Sequence, residues 1–142
     1  GRRLREQGLR GRGISVNVRD CRLSSFSFQC TLEQATNLTA EITRRAVQLF
    51  RAHYHWQRSG VLPLRSIGVH VFDLSCGEQA VQLDCLGKAA WQEREKRLEE
   101  ATDQLKRRFG STCIRPASLL IEPRLTGFDP KTEHVIHPVG YF

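Results

Sequence analysis

The fold of this chain is decided by the stretch PLRSIGVHVFDL, residues 63–74. Within it, the apolar residues Ile67, Val69 and Val71 alternate with small or polar residues. Because side chains two residues apart share one face of a sheet, this alternation indicates a half-buried β-strand. Valine and isoleucine pack well on a pleated surface, and a proline such as Pro63 is tolerated where a strand begins.

Two similar stretches lie upstream, at residues 14–20 and 23–32. Each places apolar side chains on one face and small polar side chains on the other, as expected for strands. The polar residues 20–22 between them predict a turn, so the two stretches should form a β-hairpin. Residues 9–13, which precede the first of these strands, are interpreted as a basic loop.

Two helices complete the predicted fold. Apolar residues at helical spacing predict one helix from about Asn37 or Thr39, the candidate caps, to about residue 56. A second helix is predicted over residues 89–109, where Gly110 should end it. The fold class is therefore α+β, a small sheet with helices on one face, followed by an appended helix and an extended tail.

The positive charge is concentrated in the first half of the 142-residue chain. Residues 1–75 contain 12 Lys or Arg and 5 Asp or Glu, a difference of +7, whereas residues 76–142 contain 10 of each, a difference of 0. A basic region of this kind favours a polyanionic partner, in particular a nucleic acid. The alternative is a soluble domain that happens to be basic.

Composition also restricts the class of protein. The chain has no apolar run of about 20 residues, the length that spans a bilayer, so no membrane association is predicted and a cytoplasmic location is expected. The five cysteines are an odd number without a Cys-x-x-Cys pair, which argues against a zinc ribbon or a disulfide framework. No catalytic constellation is visible.

The polar sides of the predicted strands form the candidate binding site. Hydroxyl and amide side chains and backbone N–H groups bind phosphate oxygens, and nearby arginines supply charge. An ordinary solvated sheet face is the alternative. The candidate residues are Arg10, Arg12, Ser15, Asn17, Arg19, Ser25, Ser27, Gln29, Thr31, Arg65, Ser66 and Gly68.

These segments, in this order, resemble a known family. The strand at 13–20, the strand at 23–32, the helix at 37–56 and the Ile67-Gly68-Val69 strand are similar to the little-finger domain of Y-family DNA polymerases, closest to the DNA polymerase IV group. Residues 96–120 resemble the segment that follows this domain, so the resemblance covers about residues 1–122.

The resemblance implies a function for the chain. Little-finger domains grip the backbone of template–primer duplex DNA during translesion synthesis, so the candidate residues above would contact double-stranded DNA. The palm of such a polymerase, with its catalytic carboxylates and Mg²⁺, is not in this sequence. The chain is therefore expected to be a non-catalytic part or a truncated relative of a DNA polymerase, without a cofactor of its own.

The resemblance also divides the chain. Residues 1–75 would be a partial little-finger domain, 76–88 a linker, and 89–142 an appended helix and tail. The linker contains Gln82, Leu83, Asp84, Cys85 and Leu86, which resemble the sliding-clamp-binding peptide of bacterial family members, usually Gln-Leu-Ser/Asp-Leu-Phe. The alternative is a short strand that packs within the domain.

Three further expectations remain open at this point. A little finger that lacks its first strand would expose a sheet edge, which predicts a homodimer through that edge or coverage by the tail near residues 118–123. A free-standing RNA-binding module is a rival, since Phe26 and Phe28 could stack bases. A protein-interaction domain is the other rival.

Overall fold

The computed structural model describes residues 1–55, 62–77, 88–117 and 121. Its elements are α1 (Arg2–Glu6), β1 (Leu9–Asp20), β2 (Ser25–Thr36), α2 (Thr39–His53), β3 (Leu64–Cys76) and α3 (Lys88–Phe109). The chain divides into two compact units, Gly1–Lys96 and Arg97–Phe142, and the boundary falls within α3. These elements confirm the predicted α+β fold class.

The first unit is built on an antiparallel sheet with the strand order β2-β1-β3. In the central strand, Val16 pairs with Phe28 of β2 on one side and with Val69 of β3 on the other. Asp20 ends β1 and stabilises the turn into β2, because its Oδ1 accepts the backbone N–H groups of Arg22 at 2.8 Å and Ser24 at 2.9 Å. The hairpin prediction is thus confirmed.

The sheet packs its apolar face against α2. Ile14, Val16 and Val18 of β1 are fully buried, and they form one core with Leu32 of β2 and the inner residues of α2. Those inner residues are Ile42, Ala46 and Leu49. The opposite face of β1 therefore points away from α2.

Several details of the predicted elements were wrong; β2, for example, spans Ser25–Thr36 rather than residues 23–32. β1 begins at Leu9 rather than at Ile14, since residues 9–13 pair with the end of β3 instead of forming a loop. The N-cap of α2 is Leu38, and no side chain caps it. The Asn37 amide instead donates to the Leu9 carbonyl at 3.3 Å, so it ties the start of the helix to β1.

The second unit contains the C-terminal half of α3 and the turn that follows it. The helix ends at Phe109, and Gly110 has a φ of 93°, the left-handed conformation that glycine adopts without steric cost. This confirms the predicted end of the helix. Cys113 then donates its backbone N–H to the Gly110 carbonyl at 3.4 Å.

β3 lies at an edge of the sheet as far as the structure describes the chain. Its Ile67 and Val69, on the same side of the sheet as the core, are 58% and 48% exposed. Pairing of this edge with a second copy, or its coverage by the tail, stays a prediction because residues 118–120 and 122–123 lie outside the described residues. No helix in the described part of the chain is long and apolar enough to cross a membrane.

Candidate nucleic-acid interface

The face of the sheet opposite α2, termed the polar face below, consists of four cross-strand rows. Because directly paired residues of antiparallel strands point to the same side, the register assigns each row without ambiguity. From one end of the face to the other, the rows are Arg19 with Ser25 and Ser66, Asn17 with Ser27 and Gly68, Ser15 with Gln29 and His70, and Gly13 with Thr31 and Phe72.

Nine of the twelve candidate residues from the sequence are brought together on this face. They are Ser15, Asn17, Arg19, Ser25, Ser27, Gln29, Thr31, Ser66 and Gly68. Strand pairing alone is enough to place these residues on one face of the sheet. Whether they bind DNA stays a prediction, which the proposals below address.

The other three candidates, all arginines, are not placed on the polar face. Arg10 and Arg12 flank Gly11 at the register shift between Gly11 and Gly13, so strand alternation does not assign them to the face; the Arg12 Nε donates to the Leu32 carbonyl at 2.9 Å. Arg65 lies at the register shift between the Arg19–Ser66 and Asp20–Leu64 pairs, so strand alternation does not assign it to the face. Arg19 is therefore the arginine that the register presents there.

Hydrogen bonds between neighbouring strands orient several polar side chains. The Ser15 and Ser27 hydroxyls lie 3.0 Å apart, and the Asn17 amide contacts His70 Nδ1. The Arg19 Nε donates to the Leu23 carbonyl at 3.3 Å, which directs the guanidinium along the hairpin end of the sheet. Ser15 is only 9% exposed, so its hydroxyl serves to position Ser27, whereas Ser27 is open to a ligand.

Three residues of this face, Gly13, His70 and Phe72, were missed by the sequence interpretation. His70 and Phe72 continue the alternation of Ser66 and Gly68 along β3. The same period of two that identified the first pair could have identified the second. The candidate list on β3 ended at Gly68 because the selection there favoured small neutral side chains.

The electrostatics of the polar face favour an anion. None of its twelve paired positions carries a carboxylate, whereas Arg19 contributes a full positive charge. A face without carboxylates does not fit the Mg²⁺ ions of a polymerase palm, which prefer carboxylate ligands. Within the described ranges there is likewise no group of three or more His, Cys, Asp or Glu side chains that could hold a metal ion.

The base-stacking rival based on Phe26 and Phe28 loses its main support. Both residues pair with core residues of β1, Phe26 with Val18 and Phe28 with Val16, so both lie on the α2 side of the sheet. The Phe28 ring stacks on His53 of α2 with 4.6 Å between ring centroids. Neither ring can therefore contribute to the polar face.

The predicted clamp-binding residues cannot be placed in this way. Gln82, Leu83, Asp84, Cys85 and Leu86 all lie outside the described residues, as does the remainder of the linker after Gly77 up to Gly87. Their assignment continues to depend on the sequence pattern and its position after β3.

Comparison with known proteins identifies the family. Residues 1–85 match the impB/mucB/samB family C-terminal domain. The chain is 37% identical over 119 residues to "DNA polymerase IV" of Pelotomaculum thermopropionicum, covering 83% of this chain and 28% of that protein. It is 28% identical over 120 residues to the protein of the same name from Acetivibrio thermocellus, covering 84% of this chain and 29% of that protein.

A third relative supports the same family assignment. The chain is 31% identical over 116 residues to "DNA polymerase IV" of Moorella thermoacetica, covering 82% of this chain and 27% of that protein. The chain thus spans less than a third of the length of each of these curated relatives. It belongs to the impB/mucB/samB family and contains the C-terminal domain of that family, which confirms the resemblance to Y-family DNA polymerases of the DNA polymerase IV group.

Proposed function

We propose that the polar face binds the backbone of double-stranded DNA, as the non-catalytic, duplex-gripping portion of a translesion DNA polymerase. The observation that carries this proposal is the set of four cross-strand rows, which present hydroxyl, amide and guanidinium groups and no carboxylate. Among the described residues, the core and α2 lie on the other side of the sheet and leave this face to a ligand.

The chemistry of the face suits phosphates rather than base edges. Serine, threonine, asparagine and glutamine side chains donate hydrogen bonds to phosphate oxygens, and such contacts position a duplex without reading its sequence. The polar side chains repeat along three strands at the spacing of the sheet, so they can follow a continuous backbone. Arg19 adds a charge-assisted contact at the hairpin end.

The relatives support a role within a larger enzyme. All three described above carry the name DNA polymerase IV, and this chain corresponds to less than a third of each. In this proposal the whole protein is a DNA-directed DNA polymerase, and its catalytic carboxylates and Mg²⁺ ions belong to a palm outside these 142 residues. These 142 residues would then need no cofactor to hold the duplex.

A salt titration tests the proposal directly. Fluorescence anisotropy of labelled duplexes should show similar affinities for unrelated sequences and a linear fall of log K with log salt concentration, with a slope of roughly −0.9 per phosphate contact. Arg19→Ala should reduce the magnitude of the slope by about 0.9, because it removes one contact. Arg45→Ala is the matched control, since Arg45 is exposed on α2, which covers the opposite side of the sheet, and it should change the slope less.

Two results would contradict the proposal. One is an affinity that does not depend on salt, because Arg–phosphate binding must release counterions. The other is an Arg45→Ala effect larger than that of Arg19→Ala, which would place the ligand on the α2 side of the sheet.

The proposal also includes a contact with the bacterial sliding clamp through Gln82-Leu83-Asp84-Cys85-Leu86. In an extended peptide, apolar side chains fill a groove of the partner while a polar residue such as Gln82 makes hydrogen bonds. Cys85 and Leu86 are smaller than the usual apolar pair, which weakens the contact because large buried side chains dominate interface energies. The rival for this segment is a short strand of the domain itself.

Clamp binding by the full chain should accordingly be micromolar or weaker, equivalent to a binding free energy of about −8 kcal/mol or smaller in magnitude. Replacing Leu83 and Leu86 together by Ala should abolish it in surface plasmon resonance and leave the affinity for duplex DNA unchanged. If clamp binding persists in this variant, the segment is part of the domain structure instead.

A further inference from the structure

An exposed histidine, His70, lies on the polar face in the row that it shares with Ser15 and Gln29. Its Nδ1 contacts the side-chain amide nitrogen of Asn17 in the neighbouring row. Because an amide nitrogen only donates, Nδ1 accepts this hydrogen bond, and the proton of the neutral ring is then on Nε2. Within the described part of the chain Nε2 forms no hydrogen bond, so this N–H group is left for a ligand.

Neutral side chains surround His70 on the polar face. They are Ser15 and Asn17 on β1, Ser27 and Gln29 on β2, and Phe72 on β3. Of the charged residues nearby, Arg19 lies two rows away and Asp73 follows three residues further along β3. The rows therefore contain no carboxylate that could form an ion pair with a protonated ring.

Protonation of the ring changes what this row offers to an anion. Histidine is the side chain whose charge ordinarily changes between about pH 5 and 8. A proton on Nδ1 prevents it from accepting the Asn17 N–H, so the amide has to turn and accept through its Oδ1. The ring then donates through Nε2 with a positive charge, and a charge-assisted hydrogen bond to a phosphate is roughly twice as strong as a neutral one.

We infer that His70 is a phosphate contact of the polar face that strengthens when its ring is protonated. This inference rests on the proposed duplex binding and adds to it a binding residue and a dependence on pH. Because proton binding and DNA binding strengthen each other, the affinity for duplex DNA rises as the pH falls from about 8 to about 5.5. A ring that served only to orient Asn17 gives no such rise.

Fluorescence anisotropy of a labelled blunt duplex with the full chain, at constant salt concentration, measures this dependence. The affinity should be about fivefold higher near pH 5.5 than near pH 8, equivalent to roughly 1 kcal/mol for unit charges about 4 Å apart in water. The slope of log K against log salt concentration should also be larger in magnitude by about 0.9 at the lower pH, since one more cation contacts a phosphate.

His70→Gln keeps a polar donor without the titrating ring, so it should remove both effects of pH. His53→Gln is the matched control, because His53 stacks on Phe28 on the α2 side of the sheet, and it should preserve the fivefold difference. Equal affinities at the two pH values in the unsubstituted chain would overturn the inference, as would a difference that persists in His70→Gln or disappears in His53→Gln. A chain that binds no duplex at either pH would instead contradict the proposed function.

A second variant and a spectroscopic signature test the contact independently. His70→Arg carries a permanent charge, so near pH 8 it should bind the duplex about fivefold more tightly than the unsubstituted chain and show no dependence on pH. In NMR spectra of the unsubstituted chain near pH 7, duplex DNA should move the imidazole signals of His70, and not those of His53, toward their low-pH positions. Binding of DNA without this movement, or no gain in His70→Arg, would count against a phosphate contact at His70.

Discussion

Replacing Arg19 by Glu and Gln29 by Glu together is expected to weaken binding to duplex DNA about a hundredfold at low salt. Both residues are exposed on the polar face, and the two substitutions change its charge by −3. A unit charge about 4 Å from a phosphate contributes roughly 1 kcal/mol even in water, so three units amount to about 3 kcal/mol. Each 1.4 kcal/mol corresponds to a tenfold change in affinity.

The same substitutions on α2 provide the control for this charge reversal. Arg45 and Gln48 are exposed on the helix that covers the opposite side of the sheet, so Arg45→Glu with Gln48→Glu changes the net charge equally. If DNA binding depends on the polar face, this control should retain most of the affinity in an anisotropy titration. Equal losses in the two double variants would show that only net charge matters.

Ile14→Ala should destabilise the chain by about 2–5 kcal/mol, the range observed when a buried isoleucine is truncated. Ile14 has no exposed surface and belongs to the core formed by β1, β2 and α2, so its truncation leaves a cavity that neighbouring residues fill only in part. The free energy of unfolding from urea titration, followed by circular dichroism, measures this loss.

Ile67→Ala is the same substitution at an edge position and serves as its control. Ile67 lies on the same side of the sheet, in β3, but is 58% exposed. Its truncation should therefore cost less than about 1 kcal/mol, because little apolar surface returns to water. A cost at Ile67 equal to that at Ile14 would mean that β3 is covered in solution, as the predicted homodimer requires.

Much of the candidate site was predictable because strand alternation is a local property. The assignment of Ser15, Asn17 and Arg19 to one face follows from their spacing, and the same holds for the polar residues of β2. The prediction of a loop at residues 9–13 was wrong because this segment has no local side-chain pattern. Gly11 and Gly13 have no side chain, so they contribute nothing to an apolar or polar pattern, and the pairing with β3 that makes this segment a strand is visible only in the fold.

By itself, the sequence determined which residues share a side of each strand, since the period of two depends on backbone geometry alone. Only the tertiary structure decided the strand order, and with it the difference between Ile14 in the central strand and Ile67 at the edge. It also decided that a register shift between Gly11 and Gly13 interrupts the alternation of β1 next to Arg10 and Arg12, and that the Phe72 ring packs against Gly13. The physical reason is that burial and cross-strand contacts depend on which segments become neighbours, and those neighbours are distant in sequence.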